Sequence, residues 1–153
     1  MNDTPNPAPA SKPRPAARRK ARRFALQALY QWHIAGGSLN RIEAQFRSEN
    51  AMHKVDLPFF HELLHEIPAN VASLDQQLEP LLDRKKSELG VVELNALRIG
   101  AYELCHRIDI PYRVCINEGV ELAKVFGAED SYRFVNGVLD KLARQVRDVE
   151  IKG

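Results

Sequence analysis

The pentapeptide HELLH, His61 to His65, has the residue types and the spacing of a zinc metalloprotease motif. On a helix, two histidines four residues apart share a face and can bind Zn²⁺, with the glutamate between them, Glu62, as general base. A catalytic zinc also needs a third protein ligand and an enclosed cleft. Neither of the following glutamates, Glu66 and Glu79, has an evident reason to converge with the histidines. We therefore predict no metal site and no catalytic residue. The alternative to this prediction is a small zinc hydrolase that uses His61, Glu62 and His65.

The helix that carries this motif determines which way the histidines point. Its core face is marked by an apolar stripe at helical spacing, which comprises Leu57, Phe60, Leu64, Ile67, Val71, Leu74 and Leu78. At 100° per residue, His61 and His65 lie roughly 105° and 145° from the centre of that stripe, on the flank and the outer face of the helix. The stripe keeps its phase across Pro68, so we predict a single long helix with a kink near this proline.

The remaining sequence predicts an all-α protein. From Ala16 onward the apolar residues recur with a period of 3.6, and no alternating run indicates a strand. We expect about six to seven helices in two packed bundles, residues 16–83 and 84–148. The stripe of one helix in the second bundle comprises Leu94, Leu97, Ala101, Leu104 and Ile108. Five of the nine prolines fall in residues 1–15, which we predict to be a disordered, basic arm.

Composition narrows the functional class. No apolar run approaches the roughly 18 residues that span a bilayer, and the amino terminus does not resemble a signal peptide. Cys105 and Cys115 form no C-x-x-C pair, and we expect free thiols in a reducing cytoplasm. The sequence contains no glycine-rich phosphate loop and no nucleophile elbow. We therefore expect a cytoplasmic protein that is not an enzyme, has no cofactor and has no membrane association.

Positive charge is concentrated at the amino terminus. Residues 1–23 contain seven Lys and Arg against one Asp, a local charge of +6, which leaves −4 for the rest of a chain whose total is +2. The first helix, about Ala16 to Ala35, has a core face of its own, yet Leu26 and Tyr30 point away from it. An exposed leucine and tyrosine beside arginines indicate a protein or RNA contact surface. The alternative, equally open from the residues alone, is that another helix covers Leu26 and Tyr30 and the basic end is only solvated.

Three long segments resemble the NusB family of bacterial transcription antitermination factors. They are AARRKARRFALQALYQW, ELGVVELNALRIGAYEL and IPYRVCINEGVELAKVFGAEDSYRFVNGVLDKLA. The resemblance extends from Pro15 to about Gln145. The same fold occurs in ribosomal RNA cytosine methyltransferases as an amino-terminal domain, and we expect the stand-alone factor here.

The resemblance implies a NusB-like helical fold that binds the boxA element of nascent ribosomal RNA. The implied partners are NusE, a small-subunit ribosomal protein, and the RNA polymerase antitermination complex. The implied RNA-binding residues lie at the start of the first helix and in the loop and start of the last helix, and comprise Arg18, Arg19, Lys20, Arg22, Asp130, Arg133 and Phe134. To these we add Arg14 of the arm. The implied partner-binding positions are Tyr30 and Glu93, to which we add Leu26. A protein–protein adaptor with an incidental basic end is one alternative, and a homodimer that covers the RNA surface is another.

Overall fold

Helices make up the regular structure of the chain. The computed structural model describes residues 14–153, and within this range it contains eight α-helices, two short 3₁₀ turns and no strand, which confirms the all-α prediction. The predicted disordered arm lies outside the described residues except for Arg14 and Pro15. The helices are α1 (Pro15–Ala35), α2 (Leu39–Glu49), α3 (Leu57–Ala69), α4 (Val71–Leu78), α5 (Val91–His106), α6 (Tyr112–Phe126), α7 (Ser131–Val146) and α8 (Asp148–Lys152).

The beginnings and ends of the first helices follow from local chemistry. Pro15 occupies the first turn of α1, where a missing N–H costs nothing, and Gly36 ends this helix with a positive φ of 68°. The side chain of Ser38 accepts a hydrogen bond from the Arg41 N–H at the start of α2, and that of Asp56 accepts one from Phe59 at the start of α3. Ser38 and Asp56 are therefore the N-caps of α2 and α3.

The predicted single long helix around Pro68 is wrong. Helix α3 contains Pro68 and ends at Ala69, and α4 begins at Val71. Between them Asn70 leaves the helical region, with φ −112° and ψ 13°, and its side chain donates to the Glu66 carbonyl oxygen at 2.8 Å. Proline removes a backbone donor from the last turn of α3, and asparagine supplies a side-chain donor that ends the helix.

Helix α1 lies between two groups of helices. It packs against α2 and α3 on one side and against α5 and α6 on the other. Helix α5 is the centre of the second group, because it contacts α1, α4, α6 and α7 and is buried continuously from Leu94 to Leu104. The predicted stripe of α5 was too long, since the helix ends at His106 and Ile108 is 74% exposed in the following loop.

Two glycines allow α5, α6 and α7 to approach closely. A Cβ atom on Gly100 of α5 would lie 2.6 Å from Leu139 Cδ1 of α7, and one on Gly119 of α6 would lie 2.7 Å from the same atom. Leu139 is fully buried. Small residues at these two positions therefore let one leucine fill the space between three helices.

A buried arginine closes the carboxyl end of α5. Arg147, which lies between α7 and α8, donates to the carbonyl oxygens of Leu104 and Arg107 at 2.8 Å and to that of Glu103 at 3.2 Å. The Leu104 carbonyl is one of the acceptors that the end of a helix leaves without an intrahelical partner. The Glu103 and Arg107 carbonyls also accept from the Arg107 and Ile110 N–H groups, both at 3.0 Å. Its guanidinium also pairs with Glu150 of α8, so the last helix is attached to the second group.

No helix within residues 14–153 combines the length and the apolar character needed to cross a membrane. Cys105 and Cys115 are both free thiols, with Cys115 buried and Cys105 half-buried.

Candidate functional site

The exposed cations at the start of α1 form the first candidate surface. Arg14, Arg19 and Lys20 are exposed, and Lys20 and Arg14 line a shallow depression together with His53 and Lys54 from the loop between α2 and α3. We call these four residues, Arg14, Lys20, His53 and Lys54, the basic depression. Sequence reasoning missed His53 and Lys54, whose only signal was their adjacency in a polar loop. Backbone phosphates are the ligands that such a cluster attracts.

Arg18 and Arg19 are held by carboxylates beside this depression. Arg19 makes two hydrogen bonds to Glu118 of α6, at 3.1 and 2.9 Å, while its side chain keeps 52% of its surface exposed. Arg18 is only 18% exposed and lies 3.8 Å from Asp56 and 4.0 Å from Asp109. Arg19 can therefore offer its remaining donors to a ligand, whereas Arg18 has little open surface.

The structure places Arg22 in the interior, contrary to the prediction of an RNA contact. Its guanidinium donates to both oxygens of Glu103 at 2.8 and 2.7 Å and to Glu118 at 3.2 Å, and the residue is 2% exposed. The reason is its position on the side of α1 that faces α5 and α6. A phosphate could reach Arg22 only by displacing two buried carboxylates, so we assign it a structural role.

The second candidate surface surrounds the start of α7. Asp130 has a left-handed backbone, with φ 68°, and its side chain caps no backbone N–H of α7. It lies instead 3.7 Å from Arg133, and both side chains are exposed. Phe134 is half-buried, with the guanidinium of Arg84 stacked 4.3 Å from its ring centroid. Sequence reasoning missed Arg84, which approaches from the loop between α4 and α5.

These two surfaces are separate within the described residues. The hydrogen bonds and ion pairs of residues 14–153 do not connect the basic depression with Asp130, Arg133 or Phe134. The start of α1 instead contacts the loop before α3 and the first half of α6.

The predicted partner-binding residues differ in exposure. Tyr30 is 45% exposed and lies at the rim of a groove, whereas Leu26 is 1% exposed, so the predicted exposure of Leu26 is wrong. Helix α5 covers Leu26 because α1 is buried on two sides. The other lining residues of the groove are Gln27, Gln31, Phe46, Val92 and Phe126. Glu93, next to Val92, accepts a hydrogen bond from the Gly90 N–H at 3.3 Å and so helps to start α5.

The polar side chains of HELLH, which lies on α3, face two different neighbouring helices. Glu62 faces α5, where it accepts hydrogen bonds from the Tyr102 hydroxyl and the Arg107 guanidinium, both at 2.7 Å. His61 and His65 face α2, where both contact the same oxygen of Glu43. The carboxylate that converges with the histidines is therefore Glu43, which sequence reasoning did not consider, and neither Glu66 nor Glu79.

The charge state of Glu43 follows from these contacts. Burial alone would raise its pKa, but the hydrogen bonds from His65 and His61 and the charge of Arg47 lower the pKa below the usual value of a glutamate. Arg47 holds the second carboxylate oxygen at 2.8 Å. Glu43, His61 and His65 are the residues of the described chain that could together bind a metal ion.

Comparison with known proteins gives one consistent result. A family model described as the NusB family matches residues 19–144. The chain is 62% identical over 136 residues to the transcription antitermination protein NusB of Alcanivorax borkumensis, covering 89% of this chain and 91% of that protein. It is 56% identical over 149 residues to the protein of the same name from Pseudomonas entomophila, covering 97% and 90%. A solved NusB structure from T. maritima matches with a TM-score of 0.76 and 27% identity, over 88% of this chain and 96% of that one.

Proposed function

We propose that this chain, which belongs to the NusB family, is a transcription antitermination factor. It acts by binding RNA and protein and catalyses no reaction. Its RNA ligand is the boxA element of nascent ribosomal RNA. It binds this RNA as a heterodimer with NusE and joins the antitermination complex on RNA polymerase. The observation that carries the proposal is the combination, on one helix, of exposed cations at its start and an exposed tyrosine near its end.

The exposed cations suit single-stranded RNA. Arg14, Lys20 and Lys54 lie around one depression, and Arg19 keeps half of its side-chain surface open beside them. Cations in this arrangement bind phosphates through charge, and binding then weakens steeply with added salt. At the second surface, the guanidinium of Arg84 lies over the half-buried ring of Phe134. A base can stack on this guanidinium plane, or on the ring after displacing Arg84, as bases do in many RNA-binding proteins.

Salt-dependent RNA binding tests the RNA component. Labelled boxA RNA and a scrambled sequence are titrated with the protein over a series of salt concentrations, with and without NusE. Lys20→Ala and Arg19→Ala should each reduce the salt slope by about 0.7, the value expected for one lost phosphate contact on a single strand. Arg41→Ala, which removes an exposed arginine from α2, is the matched control and should not change the slope. Equal affinity for both RNAs, or equal slopes in all variants, would contradict the proposed RNA surface.

Tyr30→Ala tests the protein component. Tyr30 is exposed at the rim of an apolar groove, so its removal should weaken NusE binding while changing the free energy of unfolding by less than about 0.5 kcal/mol. Pull-down without RNA measures the first quantity and urea denaturation the second. NusE binding that persists in this variant would move the partner surface elsewhere. NusE binding without any boxA preference would favour the adaptor alternative.

A further inference from the structure

We propose that Glu43, His61 and His65 form a binding site for one divalent transition metal ion, of which Zn²⁺ is the best fit. The site connects α2 to α3 and is not a hydrolytic centre. It uses the two histidines of HELLH with a carboxylate from the preceding helix, and it leaves Glu62 outside.

The geometry brings three suitable ligand atoms together. His61 Nδ1 and His65 Nε2 lie 2.6 and 2.7 Å from Glu43 Oε1, and one ligand atom from each residue lies within 4.8 Å of the other two. The imidazole rings are 4.2 Å apart at their centroids and inclined by 31°. Two imidazoles and one carboxylate are a common zinc ligand set, and the fourth position is then open to water or another ligand.

Metal binding requires only small movements. With bonds of about 2.1 Å and tetrahedral angles, each nitrogen lies roughly 3.4 Å from the carboxylate oxygen, so each nitrogen must move away from that oxygen by about 0.7 to 0.8 Å. The His61 side chain is 55% exposed and has room to rotate. Each histidine coordinates as the neutral tautomer in which the coordinating nitrogen, Nδ1 of His61 or Nε2 of His65, carries no proton.

The residues around the site favour a metal ion that is bound but does not catalyse hydrolysis. Arg47 holds the second oxygen of Glu43, which fixes the carboxylate and leaves one oxygen directed at the histidines. A residue that orients a metal ligand in this way raises affinity. The general base of a metalloprotease would have to come from Glu62, which instead pairs with Tyr102 and Arg107 on the α5 side.

Metal titration of the full-length, tag-free protein tests the site. Zn²⁺ added during calorimetry should bind one ion per chain, and Co²⁺ should give the visible absorption of a tetrahedral complex. Loss of a residue that only supports a metal ligand weakens metal binding about tenfold. His65→Ala and Glu43→Gln each remove a ligand, so each should weaken Zn²⁺ binding by more than that. Glu62→Gln and His33→Ala, which alter a neighbouring glutamate and an exposed histidine of α1, should bind as tightly as the unaltered protein. Circular dichroism before titration identifies any variant that does not fold, and His61→Ala then replaces it.

The outcomes separate a site from incidental binding. One ion per chain that is lost in His65→Ala and kept in Glu62→Gln supports the proposal. Binding that is unaffected by both ligand variants, or that is lost equally in His33→Ala, would overturn it. Absence of a Co²⁺ spectrum at millimolar metal would also overturn it.

Discussion

Replacement of Arg22 by methionine should destabilise the protein strongly without removing an RNA contact. Methionine keeps much of the length of the side chain but removes three hydrogen bonds, two to Glu103 and one to Glu118. Glu103 is 1% exposed, so its carboxylate loses its partner with no access to water. Breaking a buried pair from one side costs about 3 to 5 kcal/mol.

The same magnitude follows from proton uptake. Burial raises the pKa of Glu103, the charge of Glu118 adds to this rise and the Arg22 guanidinium opposes it, so removing Arg22 raises the pKa further. If the carboxyl group is then protonated in the folded variant, the cost is about 1.4 kcal/mol for each pH unit above the ordinary glutamate pKa of about 4.3, or roughly 3.7 kcal/mol at pH 7 and about 1 kcal/mol at pH 5. A folded pKa above the unfolded one gives stability at low pH that is lost as pH rises.

Urea denaturation at pH 7 and pH 5 measures this effect. The Arg22→Met variant should lose about 3 to 4 kcal/mol at pH 7 and clearly less at pH 5. The double variant Arg22→Met with Glu103→Gln, which removes the buried charge, should recover part of the loss at pH 7 and show little pH dependence. A loss below about 1 kcal/mol that is equal at both pH values would refute this account of the pair. A salt slope for RNA binding that falls as in Lys20→Ala would refute the structural role of Arg22.

Three further predictions concern stability, each measured by chemical denaturation. Gly137→Ala should stabilise the protein by about 1 kcal/mol, because this helical position has nothing within 4 Å of an added Cβ. Gly100→Ala should destabilise it by about 1 to 3 kcal/mol, because its Cβ would lie 2.6 Å from Leu139 Cδ1. A change of the same sign in both variants would contradict the packing described. Asp130→Gly should preserve stability and Asp130→Ala should lower it by about 1 kcal/mol, since only the alanine strains a positive φ, and equal values would show that the strain is negligible. Asp75→Asn should lower the free energy of unfolding by about 2 kcal/mol at pH 7. Burial raises the pKa of Asp75, but two basic partners outweigh burial and lower the pKa. The loss of stability should therefore shrink below about pH 4 as the native carboxylate is protonated, and a loss that grows there would contradict this sign.

Sequence periodicity predicted the helices and much of the core because it depends on neighbours three and four residues apart. The core face of α1 was found in this way, and Ala21, Ala25 and Leu29 are buried as expected. Periodicity failed where a helix is buried on more than one side. It assigned Leu26 to an outer surface, since one apolar stripe does not reveal that α5 packs against the opposite face of α1.

Charged residues were misjudged for a related reason. The partners of Arg22 lie 81 and 96 positions further along the chain, and Glu43 precedes His61 by 18. No local pattern links such positions, so a buried arginine and a solvated one look alike in a basic run. Resemblance to a family predicted surfaces on particular helices, but burial decides which of their side chains can contact a ligand.

Helix α1 fixes the distance between the residues at its two ends. Lys20 and Tyr30 lie ten positions apart on one uninterrupted helix, which separates them by about 15 Å along its axis. Both flanks of this helix are packed, so the spacing between a ligand at one end and a ligand at the other cannot adjust by bending. Deletion of one residue between the two would shorten the distance by only about 1.5 Å but turn one surface by about 100° relative to the other. Each ligand could then still find its own surface, while the geometry that joins them would be lost.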